Sequence, residues 1–141
     1  AWLLLAWLVG AGAMMLPLLV GTFTIWRHTR RARPITQGSW PLLLRDLCQT
    51  LGVRRRVALL QSDWPTVPLT CGILRPAIVL PAEADQWPPE RRAVVLLHEL
   101  AHIRRADCLT QLIARLARVV HWFNPLVWLA GRRLRVERER A

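Results

Sequence analysis

From Ala1 to Trp26 the chain carries no charged residue, and this run constrains the fold more than any other feature. A helix of that length extends about 39 Å, enough to cross a hydrocarbon core of about 30 Å. The run predicts a transmembrane helix over residues 1–26. A secretory signal would place its positive charge ahead of the apolar stretch and a small-residue cleavage site behind it. Here the first charges, Arg27, Arg30, Arg31 and Arg33, come only afterwards. Pro17 falls inside the span, where lipid-embedded helices accept proline. The arginines after Trp26 predict that residues from about 27 onward face the cytoplasm, which puts the chain in the cell (inner) membrane with its following domain on the cytoplasmic side.

All 20 basic residues are Arg, and against 9 acids they give a formal charge of +11. Such an excess suits nucleic acid or anionic lipid, and placement decides between them. Arg27 to Arg33 follow one apolar run, and Arg132, Arg133 and Arg135 follow another. That is the pattern of membrane-flanking charge. No aromatic-interleaved RNA-binding pattern or helix-turn-helix accompanies it, so membrane lipid is the expected partner and direct nucleic-acid binding is not. The 141 residues suffice for one small core. Cys48, Cys71 and Cys108 are widely spaced, in no CxxC arrangement, and read as small buried thiols in a reducing compartment. The first residue is Ala rather than Met, and Val136 to Ala141 continue in charged helical sequence without a stop signal. The chain therefore reads as part of a longer protein.

Beyond the span, Pro34 to Pro41 reads as linker, and Pro41 to Leu51 as an amphipathic helix closed by Gly52. Val57 to Gln61, Leu69 to Ile73 and Ala77 to Leu80 are short apolar runs bounded by Pro, Gly and Asp, with Arg75-Pro76 turning between the last two. They predict a small antiparallel sheet. Pro88-Pro89-Glu90 opens a helix that runs to about Ala106, and the apolar run Ala93 to Leu97 within it is expected to be buried against the sheet. Asp107 starts a further helix to about Trp122, and Asn124-Pro125 a last one. Arg115 and Arg118 inside the apolar stretch from Cys108 to Gly131, together with the break at Asn124-Pro125, favour two helices on or partly in the membrane surface over a second span.

His98-Glu99-Leu100-Ala101-His102 is an H-E-x-x-H motif on a predicted helix. Residues four apart lie about 40° from each other around the axis, so both imidazoles can share one tetrahedral zinc ion. Glu99 sits at the edge of that face, placed to take a proton from water that the ion has acidified and to hand it to the leaving amine. Catalytic zinc usually has three protein ligands and an open position, so one ligand is still wanted. His28 lies in the basic stretch at the membrane surface, and His121 precedes Trp122-Phe123, where interfacial packing explains it. Glu137 and Glu139, the only acids after Asp107, are better candidates. They face nearly opposite ways, and the helical wheel leans toward Glu137, which continues the stripe of Leu126, Ala130 and Leu134. Asp107, five residues after His102, reads first as a helix cap and second as hydrogen-bonded support for the metal site.

The sequence resembles the BlaR/MecR-type membrane metallopeptidases, the β-lactam-sensing signal transducers and their relatives. The resemblance rests on Pro68 to Gly72 with Arg75 to Pro81, on His98 to Asp107, on Trp122-Phe123-Asn124-Pro125-Leu126-Val127-Trp128, and on Glu137 to Ala141. It implies an α+β chain: a transmembrane helix at 1–26, a basic juxtamembrane linker at 27–41, and a small gluzincin-like zinc metallopeptidase domain at 42–141, cut short at its C-terminus. That domain would hold the sheet, the H-E-x-x-H helix and two further helices. In the family, zinc is held by the two histidines and by a glutamate of an E-x-x-x-D pattern on a later helix. The match puts this ligand at Glu139, with the aspartate falling two residues beyond Ala141. The resemblance also implies antibiotic-response signal transduction, by cleavage of a transcriptional repressor or of the protein itself. A non-catalytic membrane signalling or scaffold protein of the same fold, or a membrane-protein quality-control protease, are the alternatives. An intact H-E-x-x-H argues against the first of them.

Overall fold

The computed structural model describes residues 1–64 and 67–140. The uncharged run forms most of α1, Trp2–Arg31, a helix of 30 residues with Pro17 inside it. Among the described residues α1 is the one helix long and apolar enough to cross a membrane, and none of its residues is buried within the chain. After it come β1 (Arg33–Pro34), α2 (Ser39–Leu51), β2 (Ala58–Ser62), β3 (Leu69–Cys71), β4 (Ala77–Pro81), a 3₁₀ turn (Ala82–Gln86), α3 (Pro89–Arg104), α4 (Asp107–Val120) and α5 (Pro125–Arg140). They divide into two compact units, residues 25–108 and residues 1–24 with 109–141.

The chain is α+β, as expected, and its sheet lies in the first unit. Its four strands lie in the order β1-β2-β4-β3. The Arg75-Pro76 turn makes β3 and β4 an antiparallel hairpin, with Thr70 opposite Ile78. The sheet as a whole is mixed and not antiparallel as predicted, because β4 slots between β3 and β2 and runs parallel to β2, Leu60 opposite Val79. Periodicity reports which residues face a core but not the direction of a neighbouring strand. The composition of β4 does match its place, since a strand buried on both faces reads as a continuous apolar run, and every residue of Ala77–Pro81 is buried. Arg33 and Pro34, within the stretch read as linker, pair antiparallel with Gln61 and Leu60 at the opposite edge.

Helices α2 and α3 bury their apolar sides with this sheet, in a core of Trp40, Leu44, Leu59, Ile78, Leu80, Trp87, Leu96, Leu100 and Ile103. The left-handed C-cap of α2 is Gly52, at φ +67°. At the other end, α3 opens on extended Pro88 with Pro89 in its first turn, as the sequence predicts. The run Ala93 to Leu97 is not buried throughout: Leu96 is, but Val94 is 69% and Leu97 45% exposed. A helix against a sheet covers one stripe, here Leu96, Glu99, Leu100 and Ile103, and its period leaves the neighbouring positions outside. Arg92 ties the helix start to its surroundings. Its guanidinium donates to the Trp87 and Asp85 carbonyls at 2.8 and 2.7 Å and to the Ser39 hydroxyl at 2.9 Å, and lies over the Trp40 ring.

Gly72 opens the hairpin turn at φ +86°, and a Cβ there would overlap the Arg75 carbonyl oxygen. Gly52 has a left-handed φ too, but open space around it. Gly72→Ala should therefore lose about 2–3 kcal/mol, against about 1 kcal/mol for Gly52→Ala, which meets only the intrinsic penalty. Thermal unfolding in detergent measures both, and equal losses would contradict the close approach.

In the second unit Asn124 caps α5, its side-chain oxygen accepting from the Leu126 amide at 3.0 Å, and Pro125 takes the first helical position as expected. The Trp7 indole donates to the Val120 carbonyl at 3.0 Å, so the C-terminal end of α4 packs on the apolar helix. A side chain at Gly10 would overlap the Trp122 ring.

Candidate active site

The stripe that anchors α3 also aims its polar residues. Leu96, Leu100 and Ile103 point into the core, and Glu99, on the same side, is 7% exposed, the one buried charged side chain among the described residues. Its Oε2 accepts a hydrogen bond from the Thr70 hydroxyl at 2.5 Å, and this contact joins the helix to edge strand β3. His98 and His102 lie on the flank. Their rings stand edge to face with centroids 4.6 Å apart, and their Nε2 atoms are 3.1 Å apart.

Beyond α3 the chain reverses through Ala106, whose φ of 55° makes it the one non-glycine residue of positive φ among those described. The reversal brings Asp107, at the start of α4, back to α3. Its Oδ2 lies 2.6 Å from His102 Nδ1 and 3.2 Å from an Arg105 guanidinium nitrogen. Burial pushes the Asp107 carboxyl up, but hydrogen bonds from His102 and Arg105 and the charge of Arg105 outweigh it, leaving the group below its ordinary value. An ionised carboxylate only accepts, so His102 Nδ1 is the donor in this contact. Arg105 also lies 3.1 Å from that Nδ1 but, facing another donor there, it bonds the carboxylate instead. Of the two readings of Asp107, support for His102 is the one these contacts display.

The predicted residues thus fall in two places. His98, Glu99 and His102 come together on α3, while Glu137 and Glu139 lie on α5 in the other compact unit, both exposed. Among the described residues no three His, Cys, Asp or Glu side chains form a group that could hold a metal ion. His28 stacks on Trp64, and His121 lies edge-on to Phe123. Cys48, Cys71 and Cys108 are half-buried, less enclosed than expected, and none of them is in a disulfide among the described residues. Burial pushes the Cys48 and Cys71 thiols up, which disfavours the reactive thiolate. Thr70 and Arg105 are contacts that sequence reasoning did not identify. Thr70 stands 29 positions before Glu99, and its place in the stretch Pro68 to Gly72 was the only signal pointing to it.

The profile of the family described as BlaR1 peptidase M56 matches residues 1–141. The Regulatory protein BlaR1 of Bacillus licheniformis is 29% identical over 133 residues, which are 94% of this chain and 22% of that protein. The chain spans about a fifth of the length of this curated relative. The apolar helix α1 and this likeness together place the chain at a membrane. With its α+β unit, its H-E-x-x-H helix and a profile match over its whole length, the chain belongs to the BlaR1 peptidase M56 family.

Proposed function

We propose that the chain is the membrane-anchored core of a zinc metalloendopeptidase, with Glu99 as general base and His98, His102 and Glu139 as ligands of one zinc ion. The observation that carries this is the 3.1 Å between the two Nε2 atoms, with the far nitrogen of His102 engaged by Asp107. Two imidazoles on one tetrahedral zinc have nitrogens about 3.3 Å apart, for bonds of about 2.0–2.1 Å, so the pair fits that ion. A carboxylate behind a ligating histidine is the usual support, fixing both tautomer and ring. When bound, zinc polarises a carbonyl and acidifies water.

The rest falls to the chain's own residues. Glu99, buried beside the imidazole pair and oriented by Thr70, takes a proton from the attacking water and returns it to the leaving amine. Strand β3 is at the edge of the sheet, where an extended peptide would add as a further strand and pass in front of α3. The proposed substrate is a cytosolic regulatory protein such as a transcriptional repressor, or the protein itself, in keeping with a relative that is named as regulatory.

Elemental analysis of the purified protein should find close to one zinc per chain in wild type and little in His102→Ala. Equal metal content in the two would refute the site. The domain is proposed to face the cytoplasm, on the evidence of Arg27 to Arg33 after the span. A cysteine at exposed Gln37, in a background without the native cysteines, should resist a membrane-impermeant thiol reagent in intact cells. Labelling there would reverse the orientation.

A further inference from the structure

Where α1 ends, a cavity of about 480 Å³ opens between the helix and the sheet, lined by His28, Arg31, Arg33, Asp63, Trp64 and Asp85 among others. It lies apart from the H-E-x-x-H residues, none of which lines it. Its charges are of both signs and they do not neutralise each other. Among the described residues no ion pair within 4.0 Å involves Arg31, Arg33 or Asp63. Asp85 accepts one hydrogen bond from Gln61 at 2.9 Å, so its carboxylate keeps further accepting capacity. Two guanidinium groups and two carboxylates in one cavity, without mutual pairs, suit a ligand with an anionic and a cationic end. A plain anion would meet the carboxylates, and a plain cation the arginines.

The position of the cavity selects among such ligands. Trp26 is the last residue of the uncharged run, and His28 and Arg31 follow it by two and five positions along the same helix. At about 1.5 Å per residue they stand about 3 and 7.5 Å beyond it. The headgroup layer of one leaflet is about 5–7.5 Å deep, from a bilayer of about 40–45 Å around a core of about 30 Å. The cavity is therefore at headgroup depth. Trp64 at its rim is 41% exposed and stacks on His28 with ring centroids 4.4 Å apart, as an aromatic residue at a membrane interface would.

We propose that this cavity binds the headgroup of a zwitterionic phospholipid bearing a primary ammonium, with its phosphodiester on Arg31 and Arg33 and its ammonium on Asp63 and Asp85. Guanidinium donates to phosphate oxygens in charge-assisted, often bidentate, bonds, and the three N–H groups of an ammonium match carboxylate acceptors. A lipid held there would fix the end of α1, and the sheet edge it joins, at a set height in the bilayer.

Native mass spectrometry of the intact protein, released from detergent and titrated with phosphatidylethanolamine, phosphatidylglycerol or soluble glycerophosphoethanolamine, tests this. Phosphatidylethanolamine should bind about tenfold more tightly than phosphatidylglycerol, and the soluble headgroup far more weakly than either. Arg31→Gln with Arg33→Gln should weaken both lipids about tenfold or more. Asp63→Asn should weaken phosphatidylethanolamine alone and narrow the preference. Asp63 is exposed, so this second variant leaves the fold intact, which circular dichroism verifies. Equal binding of the two lipids, or an Asp63→Asn protein with undiminished preference, would overturn the zwitterion assignment. Soluble headgroup binding as tight as the lipid would show a site for a free phosphoester instead.

Discussion

Glu99→Gln should abolish peptide cleavage, by about a thousandfold or more, in a protein that still folds and still binds zinc. The substitution changes almost nothing but the charge and the capacity to accept a proton. The amide keeps the volume of a side chain that is 7% exposed, and its oxygen can still accept from the Thr70 hydroxyl. What it loses is basicity, and general-base catalysis contributes about 10²–10⁴ in rate, more where water must also be activated. Cleavage of a reporter peptide or of the physiological substrate, measured beside zinc content, tests the claim. A Glu99→Gln protein that cleaves at an appreciable fraction of the wild-type rate would remove Glu99 from the role.

Zinc affinity should fall at least about a hundredfold in Glu139→Ala and hardly change in Glu137→Ala. Loss of a supporting residue behind a ligand already costs about 10–100-fold, and loss of a ligand itself should exceed that. The two glutamates lie about 200° apart around α5, so one of them at most serves a given site. The helical wheel leaned toward Glu137, because it continues the stripe of Leu126 and Leu134. That argument loses its force in the structure, where Leu126 is 69% and Leu134 47% exposed and the stripe marks no buried face within this chain. The E-x-x-x-D register that the resemblance implies is the remaining guide, and on it the proposal of Glu139 rests. A competition titration with a chromophoric chelator measures both variants. The reverse result would show that the register is off by two and that Glu137 is the ligand.

Much of this molecule was legible in its sequence, and the legible parts share a cause. The span of α1, the start of α3 at Pro88-Pro89, the C-cap at Gly52 and the cap of α5 at Asn124 depend on residues within a turn or so of one another. So does the pairing of His98 with His102, because four positions along a helix bring two side chains to one face whatever else the chain does. The tertiary structure alone decided what depends on distant residues. It set β4 parallel to β2, left Val94 and Leu97 outside the core, and brought Thr70 to Glu99 across 29 positions. It also turned Asp107 back onto His102 through a left-handed Ala106, a conformation that an alanine does not announce. Periodicity and capping are properties of one segment, whereas strand direction and hydrogen bonds between segments follow from how the whole chain closes its core.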